Sequence, residues 1–277
     1  MLSLILTSLV LATTLSGINA AKRGLAWPSE AATDFQPSVF NTNGQVNWIY
    51  NWGTTPASTF NQIGNYYVMQ WGSGGITGLA AAVKATGTQA VLGFNEPDNA
   101  GQANLTPAAA AALWKQYIQP LKTTYPNLKL ISPAVTNGGA PSGIAWLDSF
   151  FASCVGCKFD GVAIHWYGGG TGDLEPFVTS AYKYNLPVYL TGTVWPLLVS
   201  LHCQGAGAIC IQLIDINVVS RAATEAQYEA FLTPALAWLD GQSQVAKYAF
   251  FGAFYDGNPD DLLTSTGQLT ALGKIYA

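Results

Sequence analysis

The sequence predicts a closed (β/α)8 TIM barrel, an α/β fold in which eight parallel strands are surrounded by helices. Eight short apolar or aromatic segments recur along the chain, and helix-like segments lie between them. Strands that alternate with helices indicate a parallel sheet, and eight such units fit the length of a barrel domain. An open, doubly wound sheet is the alternative, but no glycine-rich phosphate-binding turn follows the first predicted strand.

The predicted strands are short runs that mostly end in polar or aromatic residues. They begin at Arg23, Val46, Asn65, Ala90, Lys129, Gly161, Leu186 and Tyr248. Successive starts lie 19 to 39 residues apart as far as the seventh strand, but the last step is 62 residues. An anomalous insertion, at about 192–220, is therefore predicted between the seventh and eighth strands.

Three of the intervening segments have clear helical patterns. Residues 107–125 are rich in alanine and begin with Pro107, which is well suited to the first turn of a helix. Residues 144–154 and 224–242 carry apolar residues at helical spacing. These segments are the helices that the barrel interpretation requires.

The composition narrows the classes of function. The chain has 277 residues, of which 49% are hydrophobic and 9% charged, so it can bury a large core and does not resemble a disordered protein. A net charge of −4 gives no reason to expect binding to nucleic acid or to an anionic membrane. Nine Trp and thirteen Tyr serve either core packing or stacking on the flat faces of sugar rings. Two His are too few for a metal site, and no nucleotide motif indicates a cofactor.

The first twenty residues are apolar and uncharged, and small or polar residues follow them. This pattern is typical of a secretory signal peptide, so we expect residues 1–20 to be removed and residues 21–277 to be exported to the extracellular space or cell wall. Export favours a short structural disulfide between Cys154 and Cys157, since the chain has no second CxxC motif for zinc. Asn104 begins the one sequon for N-glycosylation.

Polar and aromatic side chains follow most of the predicted strands. In a barrel of this type the carboxyl ends of the strands form the active-site face, so these residues should converge on one mouth. Amides, a carboxylate, a histidine and indole rings together suit a hydroxyl-rich ligand. The residues are Asn51, Trp52, Gln70, Trp71, Asn95, Glu96, Thr136, Asn137, His165, Trp166, Tyr167, Tyr255 and Asp256.

Glu96 is the candidate catalytic acid. It ends the apolar run of the fourth predicted strand and is followed by Pro97, which stops the strand. A carboxyl group in a partly apolar mouth is expected to have a raised pKa and to donate a proton to a leaving glycosidic oxygen. Asn95 is placed to hydrogen-bond a sugar hydroxyl beside the reacting carbon. The structural alternative for Glu96 is a salt bridge across the rim of the barrel.

Five motifs, "GFNEPD", "SPAVTNG", "CVGC", "HWYG" and "LPVYLT", occur in this order. Together they resemble fungal glycoside hydrolase family 128, the alkali-sensitive-linkage-protein-like glycosyl hydrolase catalytic core. The resemblance covers residues 22–277 apart from the insertion, and it implies a secreted, retaining endo-β-1,3-glucanase that acts on cell-wall glucan. It further implies that Glu96 is the acid/base and that the cleft is lined by Asn95, Gln70, Trp71, His165, Trp166 and Tyr167.

The sequence departs from the family at the seventh strand. The resemblance implies a nucleophilic Glu after "LT", but the chain has Gly192. A retaining glycosidase needs two carboxylates about 5 Å apart, so Glu96 alone cannot support the covalent route. The insertion begins at the same point, and we interpret it as a retained intron, because a Glu codon interrupted by a GT splice donor would be read as glycine.

Two alternatives to an intron remain open. The segment is either a true insertion, with Cys203 and Cys210 bridged, or the nucleophile has been lost. Asp215 and Glu225 are weak substitutes, because retaining geometry tolerates little displacement. Glu225 fits the first turn of the following helix, where an acid favours the helix dipole. Glu175 also fits a helix start.

Two functions follow from this reading. The first is an endo-acting β-1,3-glucan hydrolase, and the second is a catalytically inactive barrel that binds glucan. The absence of a carboxylate at residue 192 favours the second function, so it is an open question whether the present chain is an active enzyme. A barrel enzyme acting on another β-glycan is a third reading, since stacking rings and amides do not fix the linkage. We expect a monomer whose partner is β-glucan.

Overall fold

The computed structural model describes residues 21–28, 35–168, 170–194, 224–251, 255 and 257–277. The predicted signal peptide and residues 195–223, which include most of the predicted insertion at about 192–220, lie outside the described residues. Asp256 and the alternative cysteine pair, Cys203 and Cys210, lie outside them as well.

Parallel strands form a nearly closed barrel with helices around it, as predicted. The described residues contain nine strands: β1 (Arg23–Ala26), β2 (Val46–Tyr50), β3 (Asn65–Tyr66), β4 (Val68–Met69), β5 (Ala90–Leu92), β6 (Lys129–Val135), β7 (Gly161–Tyr167), β8 (Val188–Val194) and β9 (Val245–Phe251). Their order in the sheet is β3-β2-β1-β9-β8-β7-β6-β5-β4. All paired strands are parallel, so their carboxyl ends open on one face.

The predicted third strand is divided into β3 and β4, which is where the barrel stays open. Tyr67 separates them, and its N–H donates to Ile49 O of β2 at 2.9 Å. After Tyr67 the chain pairs with β5 instead: Gln70 N–H donates to Leu92 O of β5 at 3.0 Å. Tyr67 is buried inside the barrel, where its ring stacks on Trp48 at 5.1 Å between centroids. The change of partner therefore explains the break in the strand.

The starts of all eight predicted strands agree closely with the structure. Six begin at the predicted residue, β8 begins two residues later and β9 three residues earlier. Gly93, directly after β5, is required by the close approach of β6: a Cβ there would lie 2.7 Å from Pro133 N. Only glycine avoids that collision, so β5 and β6 can lie side by side where the mouth begins.

Helices cover the outside of the barrel. They are α1 (Leu79–Thr86), α2 (Pro107–Leu113), α3 (Leu121–Thr124), α4 (Ile144–Ser153), α5 (Thr171–Ser180), α6 (Glu225–Gly241) and α7 (Ala271–Tyr276). The single helix predicted over 107–125 is interrupted by a π-helical turn at Trp114–Ile118. Pro120 follows that turn and lacks the N–H that a continuous helix needs. Within the described residues, no helix is long and apolar enough to cross a membrane.

Several residues at helix ends lie where the sequence predicted them. Thr224 and Gln227 form a capping box at the start of α6, and Glu225 lies exposed in its first turn. Glu175 lies in α5, as its helix-start interpretation predicts. Cys154 and Cys157 are joined by a disulfide at the end of α4.

Candidate active site

Three side chains, joined in a row by hydrogen bonds, cross the mouth of the barrel. Glu96 follows β5, His165 lies near the end of β7, and Thr191 lies on β8. His165 Nδ1 is 2.9 Å from Glu96 Oε1, and His165 Nε2 is 3.1 Å from Thr191 Oγ1. All three residues are buried, with 7%, 2% and 0% of their surface exposed. Three separate strands thus place one carboxylate, one imidazole and one hydroxyl in line.

The backbone of Glu96 is held in an unfavourable conformation. Its φ of 42° lies in the left-handed region, which costs a residue with a side chain about 1–3 kcal/mol. Two hydrogen bonds hold it there: Glu96 N–H donates to Ala134 O at 2.7 Å, and Asn99 N–H donates to Glu96 O at 3.0 Å. The strain therefore turns the carboxylate into the mouth immediately after the strand ends, which is typical of a functional residue.

The pKa of Glu96 differs from the sequence prediction. Burial raises the pKa, but the hydrogen bond and charge of His165, together with a hydrogen bond from Asn99, lower it more, and the net shift is downward. Asn99 Nδ2 donates to Oε2 at 3.2 Å, so each carboxylate oxygen has a partner. The predicted raised pKa is wrong, because the barrel brings His165 of β7 into contact with the Glu96 carboxylate.

The cleft extends to both sides of Glu96. On one side lies a cavity of about 510 Å³, here called the polar cavity. On the other lies a cavity of about 260 Å³, here called the aromatic cavity. Glu96 and Tyr167 line both cavities, so the carboxylate stands at their junction.

Loops after β5 and β6 form the polar cavity, and Asp98 joins them. Its carboxylate accepts hydrogen bonds from Thr136 Oγ1 at 2.6 Å and Gly143 N at 2.7 Å. Thr136 N–H donates to both of its oxygens at 3.2 Å. These bonds occupy the Asp98 carboxylate, which therefore supports the loops and is poorly placed to attack a sugar. Our sequence reasoning missed this role, although Asp98 belongs to the "NEPD" motif.

Indole and phenyl rings form the aromatic cavity. Trp71 is 39% exposed, an unusual position for a large apolar ring, and it follows β4 as predicted. Trp52 lies 5.0 Å from the Tyr50 ring and 5.3 Å from Phe251, between centroids. The cavity is completed by Pro28, Asn95, Gln102, His165 and Tyr167. Its rings and amides are suited to a sugar ring with hydroxyl groups.

The structure contradicts two of the predicted cleft residues. Trp166 is 1% exposed and stacks on Phe231 of α6 at 5.6 Å. Since side chains alternate along a strand, His165 and Tyr167 reach the mouth while Trp166 points to the helices. Gln70 is buried beneath the mouth, where its Nε2 donates to Gly72 O and Gly74 O. Gln70 thus fixes the loop after β4 and lines neither cavity.

Asn95, His165 and Tyr167 line the cleft where the sequence placed them. Asn95 is 4% exposed; its Nδ2 donates to Gln102 Oε1 at 3.0 Å, and its Oδ1 has no partner among the described residues. The predicted glycosylation residue, Asn104, is exposed in the loop before α2, outside the mouth.

Gly192 lies on β8 beside this chain of side chains, paired in register with His165. A Cβ at residue 192 would lie 3.0 Å from the Tyr167 hydroxyl and 3.1 Å from His165 Cγ. A side chain at this position would therefore point to the mouth, and the His165 and Tyr167 side chains lie over the glycine instead. Among the described residues, no group of His, Cys, Asp and Glu is arranged to hold a metal ion.

Comparison with known proteins identifies the family. The glycosyl hydrolase catalytic core family matches residues 24–276. The chain belongs to this family. It is 31% identical over 263 residues to alkali-sensitive linkage protein 1 of Schizosaccharomyces pombe. That match covers 93% of this chain and 44% of the relative, so the chain spans less than half of its length.

Solved structures place the chain in glycoside hydrolase family 128, which confirms the resemblance seen in the motifs. A curdlan-specific exo-β-1,3-glucanase from Blastomyces gilchristii, in complex with glucose, is 32% identical with a TM-score of 0.70. The match covers 93% of this chain and 98% of that one. An endo-β-1,3-glucanase from Amycolatopsis mediterranei, in complex with laminaritriose, is 27% identical with a TM-score of 0.70, covering 92% and 98%.

Proposed function

We propose that the protein is a secreted β-1,3-glucan-active barrel of glycoside hydrolase family 128, with Glu96 as its acid/base. The single observation that supports this most strongly is the placement of Glu96 at the junction of two cavities. A glycosidic bond lying across that junction would present its oxygen to the carboxyl group. The related exo- and endo-β-1,3-glucanases suggest the linkage.

Endo action is favoured by the shape of the described part of the mouth. The polar and aromatic cavities continue the cleft on both sides of Glu96, so an internal bond of a glucan chain can be accommodated. Trp71 and Trp52 would stack on sugar rings, while Asn95 and Asn137 would bind hydroxyl groups. Because no metal or other cofactor takes part in acid/base hydrolysis of this type, we expect the side chains alone to carry the reaction.

The retaining route needs a second carboxylate. Such an enzyme attacks the anomeric carbon with one carboxylate while the other protonates the leaving oxygen, and the two stand about 5 Å apart. Residue 192 is directed at the mouth, but glycine provides no nucleophile. We therefore propose that the chain with Gly192 retains glucan binding and that efficient hydrolysis requires Glu at this position.

The origin of Gly192 can be tested on the transcript. If residues from Gly192 to about 220 derive from a retained intron, cDNA from the source organism will join Thr191 directly to a Glu codon. An uninterrupted transcript through this segment would instead support a true insertion or a lost nucleophile.

Binding tests the glucan proposal without depending on turnover. Isothermal titration with laminari-oligosaccharides should show saturable binding by the purified mature chain, and cello-oligosaccharides of equal length should bind more weakly. Equal affinity for both series would support the reading of another β-glycan ligand. No binding to either would overturn the proposal. Mass spectrometry of the exported protein tests removal of residues 1–20, and gel filtration tests the expected monomer.

A further inference from the structure

We propose that Thr191 and His165 form a relay that positions Glu96: the relay fixes Oε1, and Oε2 of the protonated acid gives its proton to the glycosidic oxygen. The inference rests on the proposed function of Glu96. It adds two positioning residues, on β7 and β8, to the acid that the sequence identified.

The hydrogen bonds determine where the histidine proton lies. The ionised carboxylate of Glu96 can only accept a hydrogen bond, so in that state His165 Nδ1 donates to Oε1 at 2.9 Å. In a neutral ring the other nitrogen is then an acceptor, and the group beside it is the Thr191 hydroxyl. Thr191 Oγ1 therefore donates to Nε2, which fixes the ring as the Nδ1–H tautomer.

The backbone of Thr191 is anchored as well. The Tyr50 hydroxyl donates to Thr191 O, and the threonine is fully buried. The titratable groups near the ring are Glu96 after β5, Tyr167 on β7 and Tyr50 on β2. Burial raises the pKa of both tyrosines, and the charge of Glu96 raises it further, so both stay neutral. Among these groups, Glu96 is the one that carries charge opposite His165.

The His165 ring lies close to residue 192 on β8. His165 Cγ would lie only 3.1 Å from a Cβ there, so the imidazole packs directly on the β8 backbone beside Thr191. Oε1 of Glu96 is thereby occupied by its hydrogen bond with His165 of β7. Oε2 contacts Asn99, which lines the polar cavity, and a bound glycosidic oxygen can replace that amide.

The tautomer can be read directly by NMR. The chain has two histidines, so ¹⁵N-histidine labelling gives two ring systems, and a His202→Gln variant assigns them. In its neutral form, the His165 ring should carry its proton on Nδ1. Thr191→Val should shift the Nε2 resonance because it removes the hydrogen bond to that nitrogen, and Thr191→Ser should leave the resonance unchanged. A proton on Nε2 in the unmodified chain, or a Thr191→Val spectrum identical to it, would overturn the relay.

A kinetic readout separates positioning from a structural role. In a Gly192→Glu background, Thr191→Val should move the pH profile of kcat/KM for laminarin and lower kcat, while KM changes little. Thr191→Ser should return the profile to that of the parent. An unchanged profile with only a raised KM would contradict the relay. Because the NMR experiment needs no turnover, failure of the relay and failure of the glucanase proposal give different results.

Discussion

The ends of β5 and β8 face the same mouth, and they are built very differently. At the end of β5, Glu96 is buried, its backbone is held at positive φ, and both carboxylate oxygens have partners. On β8, residue 192 has no side chain, and His165 and Tyr167 lie over its backbone. One strand end places a buried carboxylate in the mouth, whereas the other presents only its backbone there.

The largest expected effect is on the Glu96 side. In a Gly192→Glu background, Glu96→Gln should reduce laminarin hydrolysis by about 10²–10⁴-fold, because general acid catalysis is lost. Reducing-end release measures the effect. Glu225→Gln is the matched control, since Glu225 is exposed in the first turn of α6. Equal losses in both variants would contradict a specific role for Glu96.

The β8 side can be tested with an external nucleophile. If Gly192 marks the missing nucleophile, azide should accelerate the release of an aryl leaving group from a β-laminaribioside and form the α-glycosyl azide. The azide bond forms at the anomeric carbon as the aryl oxygen leaves. Since a positioned group reaches effective molarities of about 10⁵ M or more, molar azide should recover only a small part of the Gly192→Glu rate.

Azide acceleration should be measured by product NMR and colour release, with Glu96→Gln as a companion variant. A β-configured azide, or a rate independent of azide, would show that the β8 side is not limiting.

A smaller effect is expected in the aromatic cavity. Trp71→Ala removes an exposed ring that would stack on sugar, and it should weaken laminari-oligosaccharide binding about tenfold, in line with about 0.5–1.5 kcal/mol for an aromatic stack. Titration calorimetry measures the loss. Val155→Ala provides the control, because Val155 is 79% exposed and lines neither cavity. A similar loss in both variants would argue against stacking on Trp71.

The smallest effect concerns stability against pH. The folded pKa of Glu96 is below its ordinary value, so its contribution is present above the unfolded pKa and is lost as the pH falls through the folded pKa. Urea unfolding from neutral to acidic pH should therefore show a steeper loss for the unmodified chain than for Glu96→Gln. Parallel curves would indicate that the His165–Glu96 pair contributes nothing to stability.

The strand starts and the position of Glu96 were predicted well, because an apolar run that ends in polar residues can be recognised in the local sequence. The predictions failed where contacts with other parts of the barrel determine the position of a side chain. Tyr67 changes partner between β2 and β5, Gln70 turns to its own loop, and Trp166 takes the outward position of the strand alternation. The lowered pKa of Glu96 depends on His165, 69 residues away in sequence.

The most direct test compares reducing-end release from laminarin by three purified proteins: the chain with Gly192, its Gly192→Glu variant, and the Gly192→Glu variant that also carries Glu96→Gln. A Glu at residue 192 must displace the Tyr167 hydroxyl or His165 by a few tenths of an ångström, since both lie within about 3.1 Å of its Cβ. We expect efficient release from the Gly192→Glu variant alone. Equal release from the chain with Gly192 and from its Gly192→Glu variant would contradict the account, because the nucleophile would then come from elsewhere.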